Sequence, residues 1–188
     1  MRNLLLSTTV LALLVSIVAC GPSGREVAKA KTTRYQADKL VLFAAAKTAT
    51  EGKYKLAVSD ETTLKIQTTG RWYSPEGLAS GSQADLDIRQ LLDKSLNIAL
   101  VVKLLPEATN WVVHIEPIML RYNAGMPNPD KVAANDASLP GWATGKVDQL
   151  AYDIYDALKQ YEVKSPIGIA PATAAPAADP APAPAPTP

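Results

Sequence analysis

The chain has few of the residues that build covalently or metal-stapled folds. Among 188 residues there is one cysteine, one histidine and one phenylalanine. A single cysteine excludes an internal disulfide framework and any site built from several cysteines. A single histidine excludes the common multi-histidine zinc centres. No Ser-centred nucleophile motif accompanies that histidine, and no Gly-rich phosphate loop occurs. An excess of either charge is also missing: 19 Lys+Arg stand against 18 Asp+Glu. That balance points to neither nucleic acid nor acidic lipid as a partner. The longest apolar run, Leu4 to Val18, falls short of the ~20 residues that a membrane-spanning helix needs. No enzyme and no cofactor is expected from this inventory.

What the chain does have begins at its N-terminal end. Arg2 provides a positive charge, and the Leu4–Val18 run follows it, broken only by Ser7, Thr8, Thr9 and Ser16. This has the form of a secretory signal peptide. The run closes on Ile17-Val18-Ala19-Cys20-Gly21, and Pro22, Ser23 and Gly24 then break any continuing helix. The segment resembles the lipobox of bacterial lipoproteins. The resemblance implies cleavage between Ala19 and Cys20, with a diacylglycerol on the Cys20 thiol and a further acyl chain, such as palmitate, on its amine. Two or three chains, at ~0.8 kcal/mol per buried CH₂, anchor a protein stably. It also implies export to the periplasm, and Gly21 after the cysteine suggests the outer membrane. Residues 1–19 are thus read as leader and 20–25 as a lipidated stalk. Loss of Arg2 with the leader makes the remaining chain formally neutral.

The other end is a Pro/Ala-rich tail, residues 166–188, closing on Asp179-Pro-Ala-Pro-Ala-Pro-Ala-Pro-Thr-Pro. Alternating proline disfavours helix and sheet, so an extended polyproline II chain is expected. At ~3.1 Å per residue it would reach roughly 70 Å. It reads as a spacer, a tether or a bait for a partner. Residues 26–165 remain for a single domain, long enough for a real core.

Hydrophobic periodicity assigns the elements. Val27 to Tyr35 alternates weakly, as an edge strand does. Gln36 to Glu51 reads as a helix with Ala37, Val41, Ala44, Ala45, Thr48 and Ala49 on its buried face, stopped by Gly52. Tyr54, Leu56 and Val58 alternate with polar neighbours. After a turn at Asp60-Glu61, Leu64, Ile66, Thr68 and Trp72 share the inward side of a second strand, which makes a hairpin. Ser74 to Gln83 is loop, and Asp85 to Lys94 is ambiguous. Leu96, Ile98, Leu100, Val102 and Leu104 form one strong strand. Trp111, Val113, Ile115 and Met119 form the inner face of another, with Val112, His114, Glu116 and Ile118 on its reverse. Asn123 to Gly141 is a long loop, and loops of this length are often functional. A last helix carries the stripe Val147, Leu150, Ala151, Ile154, Leu158, Tyr161. The expected class is α+β: one antiparallel sheet of four to five strands covered by two helices, in the order β-α-β-β-β-β-α.

The stretch Tyr35 to Ala46, then Gly52-Lys53-Tyr54-Lys55-Leu56, then Leu64-Lys65-Ile66-Gln67-Thr68, resembles the opening of BamC-like domains. There an alanine-rich helix leads into a glycine–aromatic–strand step and a hairpin. The resemblance implies a helix-grip fold, and a lipoprotein working beside the outer-membrane assembly machinery.

Four sets of residues are weighed as candidates for function. Leu40 and Phe43, beside Lys47, are off the expected buried face; they form a contact patch for a protein partner or pack under the Asn123–Gly141 loop. Trp72, Trp111, Trp142 and Tyr155 line a groove between the last helix and the sheet, or simply pack the core. In the first case an apolar ligand is implied, and the chain is its carrier or sensor. His114 neighbours Glu116 on one strand face, as an acid–base pair or as a solvated surface pair. Asp148, Asp153 and Asp156 read as a salt-bridged helix face with Lys146 and Lys159. The leading expectation is a non-enzymatic lipoprotein that acts by protein contacts in envelope assembly or maintenance.

Overall fold

The computed structural model describes residues 21–80 and 90–164. The α+β class stands. Among the described residues, seven strands make one antiparallel sheet and three helices accompany it. The architecture is built around a long hairpin, β5 (Leu96–Glu107) and β6 (Asn110–Arg121), paired over its whole length. Ala108 and Thr109 alone reverse the chain, with Ala108 in the left-handed region at φ 54°. Short strands flank this hairpin. Beside β5 lie β3 (Lys65–Thr68) and β4 (Arg71–Tyr73), and β2 (Leu56–Asp60) pairs with β3. Beside β6 lie β1 (Arg34–Tyr35) and β7 (Asp130–Val132). Pro117 falls in the gap between the β1 and β7 pairings, where β6 has no second partner and a missing N–H costs no ladder bond.

Helices α1 (Gly24–Thr32), α2 (Lys39–Glu51) and α3 (Gly141–Leu158) complete the fold, and α3 packs against both others. The sheet's inner face supplies Leu96, Ile98, Leu100, Val102 and Leu104, as expected, with Met119 from β6. Against it stand Leu42, Phe43 and Ala46 of α2 and Leu150, Ile154 and Leu158 of α3. Each such aliphatic side chain contributes roughly 1.5–3 kcal/mol by leaving water. Val147 and Tyr161 pack partly buried on the same core.

Four details depart from the sequence reading. Val27 to Thr32 is helix rather than edge strand. Ser23 caps α1, accepting from the Glu26 amide at 3.3 Å, while the Glu26 carboxylate accepts from the Ser23 amide at 2.8 Å. This reciprocal box satisfies two amides that a helix start leaves unpaired. The expected 20–25 stalk is therefore partly the first turn of α1.

The buried face of α2 is Leu42, Phe43, Ala46 and Thr50, whereas Val41, Ala44 and Thr48 face solvent. The large Leu42 and Phe43 centre the buried face, because they remove more apolar area from water, with Ala46 beside them and Ala37, Ala45 and Ala49 packed partly buried at its edge.

The third departure is a bulge. Gln67 pairs with Val101 but Arg71 pairs with Ile98, so four steps of one strand face three of the other. The extra residue turns the alternation over. Arg71 and Tyr73 take the inner side, and Trp72, opposite Asn97, goes to the reverse. Gly70 sits at the bulge, and a side chain there would collide with the Asn97 amide.

Fourth, the Asn123–Gly141 loop contains β7, whose Val132 is buried in the core opposite Met119. These additions raise the count above the expected four to five strands and two helices. They replace the order β-α-β-β-β-β-α with α-β-α followed by six strands and a helix.

Candidate functional site

A cleft of about 1080 Å³ opens along α3. One wall comes from Gly21, Pro22, Ser23 and Glu26 at the start of α1, the other from Lys53, Tyr54, Arg71 and Tyr73. Trp142, Gly145, Lys146, Gln149 and Tyr152 form the floor. Their three- and four-residue spacing puts them on one side of α3. Gly145 carries no side chain to fill the floor, and space there is open.

The aromatic groups are held firmly. Trp142 and Tyr73 pack with ring centroids 5.6 Å apart, tilted by 47°. The Trp142 indole N–H donates to the Pro75 carbonyl at 2.9 Å. Gly77, at φ +87°, lies directly against the indole. The turn holding it is closed by Ser74 and Gly77 amides donating to the Leu78 and Ser74 carbonyls at 2.8 and 2.9 Å. Burial pushes the Tyr54 hydroxyl up to about 12, with Tyr73 and Asp153 adding and Arg71 opposing. Burial also raises Tyr73, again against the pull of Arg71.

The charges in the cleft are unevenly satisfied. Lys53 pairs with Asp153 at 2.6 Å. The Glu26 carboxyl is lowered by hydrogen bonds from Ser23, and the Glu76 carboxyl by one from Ser74. Lys146 stands 5.1 Å from the Tyr73 ring centroid, a cation–π distance. Among the described residues, Arg71 and Lys146 have no carboxylate partner. The Tyr54, Tyr73 and Tyr152 hydroxyls likewise make no hydrogen bond there, whereas Tyr155 donates to Glu162 at 3.2 Å. Arg71, Lys146 and the Tyr54 and Tyr152 hydroxyls therefore border aromatic surface in an open cleft that Glu26 and Glu76 also line, while Tyr73 is buried beneath it. That set suits an extended ligand rich in carbonyl or carboxylate oxygens.

The residues anticipated as a groove are scattered. Trp142 lies in the cleft. Trp72 lies on the other side of the sheet, moved there by the bulge. Trp111 is opposite Tyr35 where β1 meets β6. Tyr155 stands beyond the cleft, 6.4 Å from Tyr152 and under the Lys29 ammonium at 5.1 Å. The contact pair also separates: Leu40 is 47% exposed, but Phe43 is 1% exposed and belongs to the core. Val41, at 45%, is the apolar neighbour that shares the surface with Leu40.

His114 and Glu116 do neighbour each other, at 3.2 Å, and Lys103 joins Glu116 at 2.8 Å on the exposed sheet face. The Lys103 ammonium first, then His114, lowers the Glu116 carboxyl. Asp156 pairs with Lys159 as read, but Asp148 and Asp153 pair with Lys31 and Lys53 from elsewhere in the chain. Ala19, Cys20, the start of the ambiguous Asp85–Lys94 stretch and the 166–188 tail lie outside the described residues. Sequence reading placed Tyr152 with Tyr155 beside the last helix stripe but missed Tyr54, Arg71, Tyr73 and Lys146 as its companions. Only the 142/145/146/149/152 spacing on the last helix was there to signal the group.

Among the described residues no helix is long and apolar enough to cross a membrane. Nor do three His, Cys, Asp or Glu side chains cluster to hold a metal ion. The fold thus defines a two-layer α+β domain with an open cleft lined by aromatic side chains and by charges of both signs. The chain matches no family model and no curated protein.

Proposed function

We propose that this chain is a lipid-anchored protein of the bacterial outer membrane, facing the periplasm. It acts without catalysis, by protein contacts through the α3 cleft, in envelope assembly or maintenance. One observation carries the reading: the cleft wall includes Gly21, the residue next to Cys20. Consecutive Cα atoms are ~3.8 Å apart, so a lipid on Cys20 would hold the cleft at the membrane surface. The lipobox-like run supports the anchor, and Arg71 and Lys146, which have no carboxylate partner among the described residues, support binding beside the aromatic rings. The cleft is open and lined by charged and aromatic side chains alike, which suits a chain-like partner better than an enclosed apolar cargo. The carrier reading draws less support, because Trp72, Trp111, Trp142 and Tyr155 line no common groove.

At finer grain, we read α2 and α3 over one sheet face as a variant of the helix grip, similar to BamC-like domains. The alanine-rich helix, Gly52–Tyr54 step and β2–β3 hairpin support this; α1 and β7 depart from it.

The test is a pull-down from detergent-solubilised membranes with wild type, Cys20→Ala and Arg71→Gln/Lys146→Gln. An envelope protein enriched by wild type alone is the expected result. Equal recovery by all three would refute both the anchor and the cleft. Incorporation of labelled palmitate into wild type but not Cys20→Ala reads the anchor separately.

A further inference from the structure

We propose that the α3 cleft recognises a polyproline II chain, and that its resident occupant is this chain's own Pro/Ala-rich segment, 166–188. The proposal rests on the cleft being the binding surface, not on the lipid anchor.

A polyproline chain has a specific recognition chemistry. It lacks N–H donors at each proline and offers outward carbonyls, and its pyrrolidine rings stack on aromatic faces. The cleft presents the complement. The half-buried Trp142 and Tyr152 offer ring surface, and the Tyr54 and Tyr152 hydroxyls make no hydrogen bond among the described residues. The floor from Trp142 to Tyr152 is ten residues of helix, roughly 15 Å at 1.5 Å per residue, the length of about five polyproline residues.

Three observations point to the chain's own tail. First, it starts at the right place. Val163 donates its amide to the Arg34 carbonyl at 2.9 Å, which ties the end of the described chain to β1. Glu162 there accepts from Tyr155, and Tyr155 is 6.4 Å from Tyr152 at the cleft floor. An aromatic path therefore leads from the exit of the tail into the cleft. Second, the tail is long enough. Tyr155 to Trp142 is roughly 20 Å along α3, while an extended chain from Lys164 reaches about 45 Å by Asp179. Third, the charges match. Asp179 is the one charged residue between 165 and 188, and among the described residues Arg71 and Lys146 are cleft cations without a carboxylate partner, able to take Asp179 on the side away from Glu26 and Glu76 of the same lining. Tethering makes the encounter intramolecular, so weak contacts suffice.

The test uses the chain from residue 20 with Cys20→Ser, so that lipidation plays no part. Ala183→Cys then carries a spin label, and amide NMR signals are read. Gly145, Lys146, Gln149 and Tyr73 are expected to broaden, and His114 and Glu116 on the exposed sheet face to stay sharp. Arg71→Gln/Lys146→Gln, at one exposed and one half-buried position, is expected to relieve the broadening. Absent or uniform broadening overturns the proposal.

A synthetic 166–188 peptide is also titrated into the chain ending at Lys164, which retains every core residue named above. Saturable shifts at the cleft are expected. Asp179→Asn in the peptide is expected to weaken binding about threefold, as for an exposed ion pair. The full chain is expected to bind the peptide at least about tenfold more weakly, because its own tail competes. Equal binding to both chains would give the cleft to a proline-rich partner in trans and overturn the resident tail. No peptide binding, with shifts instead on adding polyglutamate, would overturn the polyproline chemistry itself.

Discussion

Gly77→Ala is the sharpest probe of how the cleft is built. Two separable costs follow from the structure. Gly77 has φ +87°, where an L-residue is strained by roughly 1–2 kcal/mol. A Cβ placed there would stand 2.8 Å from Trp142 Cδ2 and 2.9 Å from Cγ, inside contact distance. The indole must then move. It would loosen its bond to the Pro75 carbonyl, worth about 0.5–1.5 kcal/mol, and its packing on Tyr73, worth a similar amount. The total is about 2–5 kcal/mol, or roughly 5–20 °C in Tm for a domain of this size. Urea unfolding of four chains separates the parts: wild type, Gly77→Ala, Trp142→Ala and the double variant. With the indole gone only the backbone strain remains, so Gly77→Ala should cost about 1–3 kcal/mol less in that background. An equal cost in both backgrounds would refute the contact argument. A cost below about 0.5 kcal/mol in wild type would refute the strain as well.

Three further outcomes are expected. Leu150→Ala, at a position with no exposure in the α2–α3 core, should lose about 2–5 kcal/mol in urea unfolding; a loss under about 1 kcal/mol would mean that α3 does not close that core. Ser23→Ala breaks the α1 capping box and should cost about 1 kcal/mol, with faster amide exchange confined to α1; unchanged exchange there would show that packing on α3 alone holds the helix. Burial keeps Tyr54 protonated to about 12, against 10.0 for a free tyrosine. The unfolded chain ionises first, so stability should be level below pH 10 and fall as pH rises toward 12. Tyr54→Phe should make that fall shallower, read by circular dichroism, and an unchanged slope would exclude Tyr54 as its source.

Much of the fold was legible wherever alternation was long. The β5 and β6 patterns and the α3 stripe each repeat over ten or more residues, and tertiary packing respected them. Short elements were less legible. The Ser23–Glu26 spacing is a readable capping signature, but Val27 to Tyr35 alternates enough to mask it. In α2 nearly every position is small or apolar, so composition does not say which side is buried; the volume of Leu42 and Phe43 decides. The bulge at Thr69–Gly70 leaves no periodic trace, yet it sends Trp72 to one side of the sheet and Tyr73 to the other.

The sequence by itself determined the α+β class, the central hairpin, the inward face of the last helix and the segments expected to be leader and tail. These are local properties, carried by residues close along the chain. The cleft was decided only by tertiary structure. Its walls come from positions 21–26, 53–54 and 71–73 and its floor from 142–152. They meet because α3 packs against α1 and α2 and because one extra residue in a strand turns Tyr73 inward. Periodicity reports which side of an element faces a core; it does not report which elements then stand side by side.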